Sequence, residues 1–202
     1  MLFRSQELLD TVETFFDERG LRPTVEIPPC ASEELLEALQ ARRFGIEYLR
    51  NTFVQSLDDL PERRPVEVVD VRGDELLGAL LEIRGADASP GSPDRLVSDE
   101  FGQALVQLTN SVHLLALEAG RPVAAGTFIH HDGIAFFGGG FTLSEHRGRG
   151  LQQALLIERL HRAKELSCSL ACVSADVANT SARNIQRAGF SVAYTEVGVS
   201  RR

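Results

Sequence analysis

The stretch from Phe136 to Ile157 constrains the chain more than any other. An apolar segment carrying Gly138, Gly139 and Gly140 runs into Phe141, Thr142 and Leu143. A short basic loop follows, with Arg147, Gly148, Arg149 and Gly150, and then the apolar run that begins at Leu151. This reads as a strand, a glycine-rich turn and the first turn of a long helix. The first amides of a helix have no intrahelical acceptor, and the helix dipole favours negative charge there. Glycines let the backbone approach a phosphate with no Cβ in the way. Arg147 and Arg149 add charge of the right sign, so the segment reads as an anion cradle.

Around it, helices and strands alternate. The stripe Leu8, Leu9, Val12, Phe15 and Phe16 predicts a helix over 5–19, ended by Gly20. A short strand over 24–27 precedes a helix that starts behind Ser32 and ends near Phe44-Gly45. Residues 46–54 read as a strand, and the Pro- and charge-rich segment 58–65 as a linker between domains. Beyond it come a strand over 66–71, a helix from Asp74, a mobile segment over 85–94 and a helix capped by Asp99. Three strands then form an antiparallel meander: 112–118, 123–130 and 134–143. Gly120-Arg121-Pro122 and His131-Asp132-Gly133 are its turns. The helix from Leu151 buries Leu156, Ile157, Leu160 and Ala163 and sets Glu158, Arg159, His161 and Arg162 on its other faces. A strand over 170–175, a helix over 180–187 and a strand over 191–199 close the chain. Both ends therefore read helix, strand, helix, strand. Phe44 and Tyr48 sit in the same spacing as Phe190 and Tyr194, so residues 1–57 read as a degenerate half-copy of the later fold.

Composition excludes several classes. A formal net charge of −8 argues against nonspecific binding to nucleic acid or to an anionic membrane. No apolar stretch is long enough to span a bilayer, and Met1 to Glu7 lacks the basic and apolar regions of a secretory signal. Cys30, Cys168 and Cys172 form no metal-spaced set and read as reduced thiols in a cytoplasmic protein.

The loop Arg147-Gly148-Arg149-Gly150-Leu151-Gln152, with the strand before it, resembles the cofactor loop of the GNAT superfamily of N-acetyltransferases. Gln152 stands where the family signature ends in Gly or Ala. The segment from Ser181 through Arg183, Asn184, Arg187 and Gly189 to Phe190 resembles the family's late helix. The resemblance covers residues 66–202. It implies an α/β (α+β) acyltransferase fold, a mixed and mostly antiparallel sheet flanked by helices, with the half-copy ahead of it. It further implies acetyl-CoA as cosubstrate, with its diphosphate on Arg147, Gly148, Arg149, Gly150, Leu151 and Gln152. Its pantetheine arm would lie along Phe141, Thr142 and Leu143, with Asn184 nearby. Many members place a tyrosine four residues before the Gly of Gly-Phe to protonate the departing thiolate; here that position is Ile185.

Acetyl transfer to an amine needs a held carbonyl oxygen, a base for the ammonium and an acid for the thiolate. A backbone amide near Thr142 or Leu143 is the expected oxyanion donor. Glu145, Glu118, His130 and His131 are the candidate bases, with His130 and His131 explained as well by a polar turn. Ser181, Asn184 and Tyr194 are candidate replacements for the missing tyrosine; Ser181 also reads as the cap of its own helix and Asn179 as a loop residue. His113 reads as a satisfied strand residue. The expected acceptor is a small-molecule or peptide amine, no metal is implied, and a homodimer is possible. A catalytically weak acyl-CoA sensor is the competing reading.

Overall fold

The computed structural model describes residues 5–177 and 179–202. The first four residues, where the reading of the N-terminal segment begins, and Ala178 lie outside the described residues. The elements are α1 (Ser5–Asp17), β1 (Thr24–Ile27), α2 (Glu33–Ala41), β2 (Phe44–Ser56), β3 (Glu67–Asp70), α3 (Gly73–Gly85) and α4 (Pro93–Val106). They continue as β4 (Ser111–Glu118), β5 (Arg121–His131), β6 (Ile134–Thr142), α5 (Leu151–Glu165), β7 (Leu170–Asp176), α6 (Thr180–Arg187) and β8 (Ser191–Arg201). The strands form one sheet in the order β1-β8-β2-β7-β6-β5-β4-β3. The chain belongs to the mixed, mostly antiparallel class that the resemblance implies.

Contacts group the residues into two units. The first holds residues 1–52, 175–182 and 192–202, and the second holds 53–174 and 183–191. In the first, Leu9 of α1, Ala38 and Leu39 of α2, and Val199 of β8 form a buried cluster flanked by Val25, Ile27 and Phe44. Ser32 caps α2 by accepting from the Leu35 amide, as its position before an apolar stripe predicts. Segment 58–65 belongs to the second unit and is tied along α5: His161 Nε2 lies 2.9 Å from Pro61 O, Lys164 donates to Asp58 O, and Arg63 donates to Glu158 and Glu165.

The second unit is built on the meander. Asp132 and Gly133 have φ of 48° and 76°, and Ala119 and Gly120 have 49° and 76°. Both are two-residue turns of the left-handed kind that matches strand twist. The first turn thus sits one residue earlier than expected, because Arg121 and Pro122 already pair with Glu118 and Leu117. Alternation along β4 and β5 buries both faces. Leu114, Ala116 and Ala124 meet Leu151 and Leu155 of α5, whereas Leu115 and Ala125 meet Leu80 and Ile83 of α3. Helix α4 starts at Pro93 behind Ser92, not at Asp99. Proline at the first helical position with a serine cap is the stronger start signal, and Asp99 lies inside the helix accepting from Arg95 one turn earlier.

One irregularity matters for function. Phe141 pairs with Ala125 and Gly138 with Thr127, so Gly139 and Gly140 stand opposite Gly126 alone. Gly139 has φ of 57°. This is a β-bulge with a left-handed glycine, as the three glycines suggest. Arg159 of α5 lies beneath it, 3% exposed, not on a solvated face. Its Nη1 donates to Thr127 O at 3.1 Å and Gly138 O at 3.2 Å, its Nε donates to Leu155 O, and its guanidinium lies over the Phe137 ring. Burial pushes it down to about 10, so it remains charged at neutral pH. Replacing it with methionine strips two carbonyls at the bulge of their donor. Arg159→Met should cost about 2–4 kcal/mol, read as a lower urea midpoint at unchanged slope.

Candidate active site

The site is assembled where β6 leaves its neighbour. Parallel pairing of β6 with β7 ends at Phe137 opposite Val173, and β6 continues to Thr142. On its other side Leu143 donates its amide to Val123 O. Of the two amides expected as oxyanion donors, that of Leu143 is therefore engaged within the sheet. Alternation in an antiparallel ladder turns the neighbouring Thr142 amide toward the opposite edge, where β7 has parted. Exposed β6 backbone beside a bulge is a surface that an extended ligand can join as an added strand.

The loop after β6 makes one 3₁₀ turn, Ser144–His146, and then reaches α5 through Gly148 and Gly150. Their φ values are 78° and 81°, and a Cβ on either would meet nothing within 4 Å. Gly150 is the N-cap of α5 and carries no side chain to accept from the first amides. The helix thus opens toward free space with its dipole unopposed by a cap. Leu151 is buried against the sheet, so only its backbone can serve a ligand.

Each cradle arginine already has partners. Arg147 donates from Nε to Thr142 O and from Nη2 to Asp87 at 2.5–2.6 Å. Arg149 donates to Glu118 Oε2 at 3.0 Å and to Glu145 O. His146 Nδ1 lies 2.6 Å from the same Glu118 oxygen. Glu118 therefore belongs to the site as the tie that holds the loop, with His146 and Asp87 as members that sequence reasoning did not single out. Glu145 is exposed. A bond from its own amide, and then one from the Ser144 hydroxyl, holds its carboxyl below the usual range, which weakens it as a base.

Of the other expected residues, Gln152 and Asn184 come together, with Asn184 Nδ2 donating to Gln152 Oε1 at 2.8 Å. Phe141 and Thr142 flank the bulge. Ser181 and Tyr194 belong to the first unit, where Tyr194 is exposed on β8. Asn179 is the cap of α6, accepting from the Ala182 amide at 2.7 Å, which places Ser181 inside the first turn. Ile185 is 1% exposed and part of the core, so its position offers no proton to a ligand. His130 and His131 sit at the far end of the β5–β6 hairpin, opposite Ala135 and Ile134. Ala135 lies seven positions before Thr142 along β6, roughly 23 Å at the usual rise, which sets both histidines far from the cradle.

Above the bulge lies a second buried arginine. Arg84 of α3 is 6% exposed, and a Cβ on Gly139 would overlap its Nη1. The rings of Phe141 and Phe101 lie 5.1 and 5.6 Å from its guanidinium carbon. Half-buried His113 is held between Ser111 Oγ at 2.9 Å and Thr127 Oγ1 at 3.0 Å. Burial, and then the charge of Arg84, push its imidazole below its ordinary value. The unfolded chain binds this proton more readily than the native one. Its contribution is therefore complete above pH ~6.5 and is lost as pH falls toward the native value. In an NMR titration His113 should protonate below pH 6.5, and Arg84→Met should move that transition upward.

With this geometry in hand, comparisons with known proteins place the chain. The acetyltransferase (GNAT) family profile matches residues 73–190, more than half of the sequence. No curated protein matches it in sequence. A GCN5-related N-acetyltransferase from Kribbella flavida superposes with a TM-score of 0.69 at 22% identity, over 96% of this chain and 73% of that one. Another from Sphaerobacter thermophilus gives 0.69 at 20% identity, over 97% and 67%. A tandem GNAT protein from the clavulanic acid biosynthesis pathway gives 0.63 at 16%, over 89% and 63%. Among the described residues no group of three or more His, Cys, Asp or Glu is placed to hold a metal, and no helix is long and apolar enough to cross a membrane. The cradle, the parted strand and the profile agree, and the chain belongs to the GNAT acetyltransferase family.

Proposed function

We propose that the protein transfers an acetyl group from acetyl-CoA to the amine of a small molecule or peptide, directly, in a ternary complex. The observation that carries this reading is the open pair of left-handed glycines at the uncapped start of α5, next to a strand edge released by its neighbour. Arg147, Arg149 and the backbone from Gly148 through Gln152 would hold the diphosphate, with Asn184 beside Gln152. The β6 edge from Phe141 to Leu143 would hold the pantetheine arm. Bound acetyl-CoA supplies an activated thioester. The chain itself orients the two partners and aims the Thr142 amide where negative charge gathers on oxygen. Glu145, Ser181 and Tyr194 are the side chains proposed for proton traffic, with positioning the larger contribution.

Ile185, buried where a proton donor commonly stands in the family, favours a second reading: a catalytically weak acyl-CoA sensor. The first 57 residues fit the role of a degenerate half-copy. The sheet order β1-β8-β2-β7 reads the same when β1 exchanges with β7 and β2 with β8, and a tandem relative shares the fold. A cytoplasmic setting, a possible homodimer and the absence of nucleic-acid and membrane partners complete the proposal.

Calorimetry with CoA and acetyl-CoA, then thiol release against an amine panel, tests it. The expected result is binding of both and acetyl transfer to at least one amine. CoA binding without transfer selects the sensor, and no binding of either ligand removes both readings. Gly150→Trp should weaken CoA binding by at least about 100-fold with an unchanged circular-dichroism spectrum. Unaltered affinity in that variant would mean that the diphosphate lies elsewhere.

A further inference from the structure

Arg84 differs from the paired and the other buried arginines among the described residues. Arg42, Arg50, Arg63, Arg95, Arg147, Arg149 and Arg201 each lie within ion-pair distance of a carboxylate. Arg159, buried as deeply as Arg84, donates to three carbonyls. Arg84 has neither form of compensation: its Nε and Nη1 are buried, and among the described residues no acceptor lies within hydrogen-bonding distance of them. Three N–H bonds of a charged group are therefore withheld from water and left unmade, which folding does not favour. The Phe101 and Phe141 rings give it cation–π contact but accept no hydrogen bond in the plane of the guanidinium. His113, whose imidazole feels the charge of Arg84, is neutral at physiological pH and brings no negative charge.

We propose that Arg84 binds a carboxylate of the acceptor, so that the substrate is an amine that also carries a carboxylate, of the amino-acid class. The inference rests on the acyltransferase reading and adds to it the chemistry of the acceptor. Arg84 lies against Gly139, within the bulge that adjoins the Thr142 amide. It reaches that bulge from α3, which packs on the sheet face carrying Leu115 and Ala125. The phosphate cradle begins α5, which packs on the opposite face with Leu114, Ala116 and Ala124. Two cationic stations on opposite faces of one strand suit two molecules meeting at that strand. A single guanidinium between two rings neutralises one negative charge, which fits a carboxylate better than a doubly charged phosphate. Phe101 is 58% exposed, and Val97, one turn earlier on α4, is exposed as well. They offer an apolar wall to the carbon frame of such an acceptor.

The test uses the whole chain loaded with CoA or acetyl-CoA. The twenty standard amino acids and their carboxamides are compared as acceptors. The corresponding N-acetyl amino acids and N-acetyl carboxamides are compared as ligands by saturation-transfer NMR, a readout that needs no turnover. The wild-type protein should prefer at least one carboxylate over its carboxamide by roughly 30-fold or more. Arg84→Met should collapse that preference to within about threefold, and Arg84→Lys should keep part of it. CoA affinity should not change, and the thermal midpoint of Arg84→Met should equal or exceed that of the wild type because an uncompensated charge is gone. Equal binding of carboxylate and carboxamide, a preference that survives in Arg84→Met, or loss of CoA affinity in that variant would each overturn the assignment. Carboxylate binding that depends on Arg84, with no acetyl transfer to any amine, would uphold it while removing the transferase reading.

Discussion

The hold of Arg159 on the β5–β6 bulge is the contact on which the rest of the site depends. A bulge leaves carbonyls without ladder partners, and that of Thr127 belongs to a buried residue, away from bulk water. Arg159 provides both Thr127 O and Gly138 O with a donor, from a helix whose own start forms the anion cradle. One side chain thus fixes the shape of β6 and its distance from α5. Without it the two bulge glycines of β6 would have no reason to keep one conformation, since glycine carries the largest backbone entropy. The glycines make the bulge possible and the arginine makes it specific.

Much of this was legible in the sequence. The cradle depends on backbone conformation, and glycine is the residue that reports backbone conformation most directly. Gly148 and Gly150 therefore marked it, and their left-handed φ values follow. The strands of the meander followed from its turns at Gly120 and Gly133 and from continuous apolar runs, because β4 and β5 are buried on both faces. The beginning of α4 was less accessible: Asp99 carries a capping chemistry, but Arg95 one turn before it uses that carboxylate inside the helix. Asn179 and Ser181 both accept hydrogen bonds well, and it is Asn179 that takes the Ala182 amide and caps α6.

The two buried arginines were not legible for a common physical reason. A charge on an amphipathic helix belongs by default to its solvated face, and the residues that bury Arg159 and Arg84 come from strands far away in sequence. Gly126, Gly139 and Gly140 were the available signal, because a missing Cβ leaves room for a guanidinium to lie against a strand. Built Cβ atoms on Gly126 and Gly139 would both meet arginine nitrogens. Read that way, glycines inside a strand report what lies above and below the sheet as well as how the strand bends. The pairing of His146 with Glu118 was hidden similarly, since it joins the loop to the end of a strand 28 residues earlier.

The arginines of the cradle carry their own counter-charges in this acidic protein. With a net charge of −8 the chain has no long-range attraction for phosphate. Arg147 and Arg149 are held by Asp87 and Glu118 in pairs that remain solvent-accessible, and such pairs contribute little stability. Under the proposed function, a diphosphate arriving at the start of α5 would exchange partners with carboxylates more than recruit unpaired cations, and the backbone amides would supply what the exchange does not. Arg84 is the opposite case, buried and without a carboxylate to release. An arginine that begins with a partner favours discrimination among anions by geometry, whereas one that begins without a partner favours anything that neutralises it. On the proposed reading, the cradle would hold the cosubstrate and Arg84 would choose the molecule that receives its acyl group.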